Sequence, residues 1–276
     1  MTSIEHSETN NEIEKIQEWE NNSEKNKDVA DQQNDLFLFG LINQVKIKDF
    51  VCQTRDHRGS VLVNYLKQLG DFSSLQKEVL VGILLGDATL RVGGTSKNCN
   101  LKYDQKIENE DLVHLVYLIF ESFVGTPPSV RYKESKKHSL WFRTFRLPQL
   151  FFYYGQFYAL DANGQRVRGV PRLLHRWITP ISLAFWFMDD GSKTPYGYVL
   201  HTENFLLPDC KYLQQILGKK FGLEVSIQSD KKSSPMAGVS FHKTYYKLYI
   251  NAVSRDKFTK LISPYMLPCM QYKLHA

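Results

Sequence analysis

Cysteine is scarce and scattered: Cys52, Cys99, Cys210 and Cys269 form no CxxC pair, and no HxxxH accompanies them. That spacing argues against a zinc site or a disulfide framework and fits a reducing compartment. Long apolar runs are also missing. The longest, such as Ile181–Met188, is about eight residues, far short of the roughly 20 that cross a bilayer. A soluble chain with no membrane partner is expected. The N-terminus is neither Arg-rich and acid-poor nor apolar, so neither an organellar transit peptide nor a secretory signal is expected there. The phosphate-cradling pattern G-x-x-x-x-G-K-[ST] is absent too, since Gly191-Ser192-Lys193-Thr194 has no upstream glycine at the right spacing.

What is present is a globular composition, 42% hydrophobic and 13% aromatic over 276 residues, which is long enough to bury a substantial core. Charge is unevenly placed. Residues 1–35 hold ten acids (Glu5, Glu8, Glu12, Glu14, Glu18, Glu20, Glu24, Asp28, Asp31, Asp35) against Lys15, Lys25 and Lys27, a net of −7. The other 241 residues carry 32 basic and 19 acidic side chains, a net of +13. A globular body that basic predicts a polyanionic partner, most commonly nucleic acid.

Periodicity divides the chain into an acidic disordered tail over 1–34, a lead-in over 35–72, and two halves, 73–173 and 174–276. The tail has too little apolar content to offset its ordering entropy. In the first half, "SSLQKEVLVGILLGD" predicts a helix capped by Ser73 or Ser74. A hairpin through Gly93-Gly94 follows, then an amphipathic helix with Leu112, Leu115, Val116, Ile119, Phe120 and Phe123 on one face. A second hairpin with a polar tip and a helix over "LPQLFFYYGQFYAL" complete it. The second half repeats this from Thr179-Pro180, where proline suits a first helical turn. There the strands are expected at 223–228, 237–242 and 246–250. The fold class predicted is α+β, two helix–hairpin–helix–hairpin–helix halves (αββαββα) with a period near 100 residues.

Two stretches carry chemistry. "LVGILLGDA" (Leu80–Ala88) and "LAFWFMDDG" (Leu183–Gly191) each run apolar and then end on acids. A helix C-terminus carries partial negative charge, so Asp87, Asp189 and Asp190 sit there at a cost unless a cation offsets it. Brought together, the carboxylates repel and favour a divalent metal, and such hard oxygen ligands suit Mg²⁺. Gly82 and Gly86, four apart, let a partner backbone approach one face. Taken singly, each such motif is better read as a helix stop and a turn. Pro208-Asp209 with Asp230-Lys231-Lys232 loosely fits a PD-(D/E)xK nuclease pattern, but the first pair is better explained as a helix start.

Both stretches fit one nine-residue template, and in this they resemble the LAGLIDADG homing endonucleases. Leu80, Gly82, Ile83, Leu84 and Asp87 match the first copy; Leu183, Ala184, Asp190 and Gly191 match the second, with Asp189 before the key acid. "ITPISLAFWFMDDGSK", "HTENF" and "ISPYMLPCMQYKL" look like the monomeric, two-motif, omega-type branch encoded in organellar introns. The resemblance covers residues 73–276.

It implies a pseudo-twofold pair of αββαββα halves with two saddle-shaped antiparallel sheets, and site-specific hydrolysis of double-stranded DNA by two or three Mg²⁺ ions. By motif position, Asp87 and Asp190 hold the metals, with the carbonyls of Gly86 and Asp189 as further ligands. The basic catalytic residues are Lys273 of "YKL" and Arg168 before Pro171, where the family normally has lysine. Candidate DNA contacts are Arg91, Lys97, Asn100, Lys102, Arg131, Lys133, Lys136, Lys137, His138 and Arg143 in the first half, and Lys193, Tyr196, His201, Gln228, Lys231, Lys232 and Lys247 in the second. A monomer acting on an asymmetric target, in a mitochondrion or plastid, is implied. So is an alternative, since members of this fold also act as RNA maturases on host intron RNA.

Overall fold

A computed structural model of the protein describes residues 32–45, 59–93, 97–160, 164, 166–236 and 239–275; side chains at 231–243 are outside the description. Of the acidic tail expected to be disordered over 1–34, residues 1–31 lie outside the described residues and residues 32–34 are instead helical. Helix α1 covers residues 32–45, and residues Leu41–Ala276 form one compact unit.

Helix α2 spans Gly59–Leu69 and α3 spans Ser74–Leu85. Ser73 caps α3 reciprocally: its hydroxyl accepts the Gln76 N–H (3.2 Å), and the Gln76 side-chain oxygen accepts the Ser73 N–H (2.9 Å). The chain then forms β1 (Thr89–Val92), β2 (Cys99–Lys106), α4 (Glu110–Phe120), β3 (Ser129–Lys133), β4 (Lys136–Arg143) and α5 (Pro148–Phe157). A short hairpin, β5 (Tyr158–Leu160) with β6 (Arg166–Arg168), and α6 (Leu174–Trp177) link this to the second half. There the order repeats as α7 (Pro180–Asp190), β7 (Gly191–Lys193), β8 (Tyr198–Leu200), α8 (Leu207–Phe221), β9 (Val225–Met236), β10 (Val239–Ile250) and α9 (Arg255–Ile262). Thr179 caps α7 and Pro180 fills its first turn, as the sequence predicts.

The two sheets have one topology, β1-β2-β4-β3 and β7-β8-β10-β9. Alternation decides which side chains face the helices. Along β2, Cys99, Leu101, Tyr103 and Gln105 are buried, while Asn100, Lys102, Asp104 and Lys106 turn outward. Tyr117 of α4 and Phe142 of β4 stack edge to face at 5.8 Å, and Phe187 of α7 meets Tyr198 of β8 in the same way at 5.3 Å.

Helices α3 and α7 are apolar all round because each is covered on all sides: Val79–Leu85 and Ile181–Asp189 are buried throughout. Their mutual packing depends on glycine. A Cβ at Gly82 would overlap the Ser182 carbonyl and sit 3.0 Å from Phe185 Cβ, and one at Gly86 would overlap the Asp189 carboxylate. At the opposite end, the hydroxyls of Thr179 and Ser182 donate to the Glu78 carboxylate (2.5 Å) and carbonyl (2.9 Å).

Two expectations need correction. The three strands expected between 223 and 250 are two of 12 residues each, paired continuously from Val225↔Ile250 to Met236↔Val239. Ladder hydrogen bonds join backbones, so the polar stretch after Gln228 continues the strand. The first of the short second-half strands, β7, begins immediately at Gly191. Helix α5 stops at Phe157 because Tyr158–Leu160 pairs with β6.

Candidate active site

Asp87 follows the last turn of α3 and Asp190 ends α7, each against the negative end of a helix dipole. A cation reaches the last turn of each. The Arg168 guanidinium of β6 donates to the Leu84 carbonyl, and the Lys273 ammonium donates to the Met188 carbonyl at 2.7 Å. Burial pulls both cations below their ordinary pKa, while Asp87, Asp189 and Asp190 pull them back up, joined at Arg168 by Tyr158. The Arg168 Nε is buried and has no hydrogen-bond partner among the described residues. The two basic residues carried over by resemblance are therefore brought to equivalent places.

Asp189 does more than its backbone role predicts. Its side chain is buried and turns toward the first half. One carboxylate oxygen accepts the Asp87 N–H at 2.6 Å, and the other accepts the Tyr103 hydroxyl at 2.9 Å and the Gln105 amide. That same amide donates to the Asp87 carboxylate at 2.9 Å, and the Gln105 carbonyl accepts from Asn109 at 3.2 Å. Burial, then the Asp87 charge, pushes the Asp189 carboxyl well above the usual range. Burial and Asp87 push Asp190 up to about 6, with Glu203 adding to them against the pull of His201 and Arg168.

Asp87, Asp189 and Asp190 open on a cavity of about 460 Å³ that Gln105, Lys106, Asn109, Arg131 and His138 also line. Among the described residues no group of three His, Cys, Asp or Glu side chains is arranged to hold a metal, and the Asp189 carboxylate is committed to hydrogen bonds. Two carboxylates remain. That donor set fits Mg²⁺, which keeps several waters and binds through one or two carboxylates plus substrate phosphates.

The outward sheet faces carry most of the proposed DNA contacts. On the first sheet, Arg91 pairs with Asn100, Lys102 with Arg143, and Arg131 with Ser139, all on one face. Asp104 binds Lys102 (2.7 Å) and Arg131 (3.2 Å), and the Arg131 guanidinium lies 4.9 Å above the Trp141 ring. Lys133, Lys136, Lys137 and His138 surround the β3–β4 turn, where Glu134 and Ser135 take positive φ. Lys97 lies just before β2. On the second sheet His201 links Ser192 (3.0 Å) to Glu203 (3.2 Å), and Lys247, paired with Gln228, reaches Glu203 (3.4 Å) and Asp230 (3.2 Å). Tyr196 is exposed at the β7–β8 turn.

Lys193 stands apart: its ammonium donates to the Leu274 carbonyl at 3.0 Å, which ties β7 to the C-terminal segment. Lys231 and Lys232 lie on β9, but their side chains lie outside the described residues. Tyr103, Gln105, Asn109, Lys106 and Trp141 were not anticipated.

Residues 77–258 match the profile of the LAGLIDADG DNA endonuclease family. The chain belongs to that family. LAGLIDADG endonucleases hydrolyse DNA, and as a family they depend on divalent metal. The chain is 29% identical over 225 residues to the "Probable intron-encoded endonuclease 1" of Wickerhamomyces canadensis, covering 78% of this chain and 90% of that protein. It is 28% identical over 273 residues to the "Cytochrome b mRNA maturase bI2" of Debaryomyces hansenii, covering 91% and 94%. Its structure resembles that of the homing endonuclease I-WcaI bound to its DNA recognition sequence, with a TM-score of 0.64, 27% identity, and coverage of 79% and 93%. The two matching four-stranded sheets and the motif helices between them are the LAGLIDADG α+β fold.

Proposed function

We propose that this chain acts as a monomer that cuts both strands of one long, asymmetric DNA target, using Mg²⁺ held by Asp87 and Asp190 with the carbonyls of Gly86 and Asp189. The observation that carries this is the shared cavity: two motif acids open on it beside Gln105, Lys106, Arg131 and His138 of the first sheet. Bound there, two or three divalent ions supply the Lewis acidity that in-line phosphodiester hydrolysis requires.

The chain's own residues do the rest. Asp87 and Asp190 supply oxygen donors. Lys273 places a transferable proton and a positive charge at one end, whereas Arg168 supplies charge alone, because guanidinium does not deprotonate. Arg131, Lys102, Lys247 and Gln228 are placed for base edges or phosphates in the grooves. The two sheets present different side chains, so the target reads differently on its two sides. The test is Asp87→Asn and Asp190→Asn: each loses double-strand cleavage and keeps DNA binding. Full cleavage by either variant overturns the assignment.

A second reading, an RNA maturase acting on a host intron, has one observation of its own. Helix α8 buries Leu213, Ile216 and Leu217 and turns Lys211, Lys219 and Lys220 outward. Lys220 donates to the His175 carbonyl (3.0 Å) and Tyr212 to that of Arg172 (2.5 Å), which joins the exposed Arg172 and Arg176 of the α6 region to this basic face. Charge reversal at Lys219 and Lys220 that weakens intron RNA binding and spares DNA cleavage supports this second role; unchanged RNA binding removes it. Expression from an organellar genome, mitochondrial or plastid, fits both readings and the intron-encoded relatives.

A further inference from the structure

The two motif acids are not held alike. Aligning Asp87 with Asp190 places Gly86 opposite Asp189, so one half offers a hydrogen atom where the other offers a carboxylate. The Asp189 carboxylate crosses between the motif helices into the space that Gly86 leaves, and there it accepts the Asp87 N–H, the Tyr103 hydroxyl and the Gln105 amide. Gln105 then grips the Asp87 carboxylate itself. Backbone and side chain of Asp87 are thus fixed by one buried group donated by the other half.

Nothing equivalent runs the other way. Gly86 has no side chain to return. Counted along the hairpin registers (Thr89↔Lys102 and Ser192↔Val199), Tyr103 and Gln105 correspond to Leu200 and Thr202. Leu200 cannot donate, and the Thr202 hydroxyl donates away, to the Tyr246 carbonyl at 2.8 Å. Among the described residues no hydrogen bond to the Asp190 carboxylate is formed; its carbonyl accepts the His201 N–H at 3.0 Å.

We infer that Asp189 is a positioning residue that presets the Asp87 half of the site and leaves the Asp190 half to be ordered by substrate and metal, so the two DNA strands are cut at unequal rates. This rests on the reading of Asp87 and Asp190 as the metal-holding pair. The effect is transmitted through Gln105 and Tyr103, so those residues act on the same strand as Asp189. Asp189 needs no contact with DNA or metal through its carboxylate to do this.

The experiment follows nicking of each strand separately on a target labelled at both ends, with the full chain in Mg²⁺. Asp189→Ala slows one strand about 10- to 100-fold more than the other, the size expected when a reacting group is misplaced by about an ångström. Gln105→Met slows the same strand. Tyr103→Phe, which removes a single hydroxyl and keeps the packing, slows that strand by a smaller factor and covers the case in which Asp189→Ala does not fold. A second readout needs no activity: in the metal-free chain, Asp189→Ala and Asp189→Asn speed amide hydrogen exchange at Asp87, while exchange at His201 is unchanged.

Equal slowing of both strands by Asp189→Ala and Tyr103→Phe overturns the inference. So does unchanged exchange at Asp87. Asp87→Asn is the control that separates the two levels: if it still cuts both strands, the site reading itself fails, whereas an inactive Asp87→Asn beside a symmetric Asp189→Ala removes only the positioning role.

Discussion

Asp190→Asn is expected to make the metal-free protein more stable while abolishing cleavage. Its carboxyl is pushed from 3.8 up to about 6, chiefly by burial and by Asp87. A shift of about 2 pH units at roughly 1.4 kcal/mol each means that ionised Asp190 costs the native state up to about 3 kcal/mol. The sign follows from proton binding. The native state binds this proton more tightly than the unfolded chain, so stability falls as pH rises from 3.8 through about 6, and the full cost is present at neutral pH.

Asparagine carries no such cost. At pH 7.5 in EDTA the variant should gain about 2–3 kcal/mol, and for a chain of this size each kcal/mol moves Tm by about 2–4 °C. At pH 4 the gain should shrink below about 1 kcal/mol, because wild-type Asp190 is then protonated. Adding Mg²⁺ should stabilise the wild type by mass action and leave the variant little changed. Thermal and denaturant melts at the two pH values, with and without Mg²⁺, measure all of this. A variant no more stable than wild type at pH 7.5, or one whose gain is the same at pH 4, refutes the reasoning.

Other consequences are simpler to state. Gly82→Ala pushes a methyl into the Ser182 carbonyl, so denaturant melts should show a loss of about 1–3 kcal/mol from overpacking. Lys273→Met removes the cation on the Met188 carbonyl and should lower kcat far more than DNA affinity, while Arg168→Lys should keep cleavage of both strands; single-turnover assays decide. Arg131→Ala should weaken DNA binding and, if Arg131 meets phosphate, reduce the slope of log K against log salt by about 1; a filter-binding salt series checks it.

The two acids were legible because a pair of apolar segments sharing one template carries far more information than either alone. The helix caps at Ser73 and Thr179 and the hairpin order were legible from local chemistry. Gln105 left a fainter trace. Strand alternation from Cys99 through Leu101 and Tyr103 already points position 105 inward, and a glutamine there is a buried amide in need of partners. The partner, however, is Asp189 of the other half, and no local pattern reports a contact across 84 positions. The long β9–β10 ribbon was hidden for a related reason: its polar residues carry no hydrophobic period, and only the backbone ladder holds them extended. Composition also cannot show that the Lys193 ammonium serves the Leu274 carbonyl.

The glycine at 86 and the carboxylate at 189 also bear on descent. A molecule made of two copies of the second half would press two carboxylates into the gap that admits one. A molecule made of two first halves would leave that gap hollow, with the Asp87 amide and the Tyr103 hydroxyl without their acceptor and the Gln105 amide holding only Asp87. The halves have become unlike and mutually obligatory: one carries the key, the other the keyhole. Swapping halves with a relative should therefore succeed only when the residue before each motif acid travels with its complement.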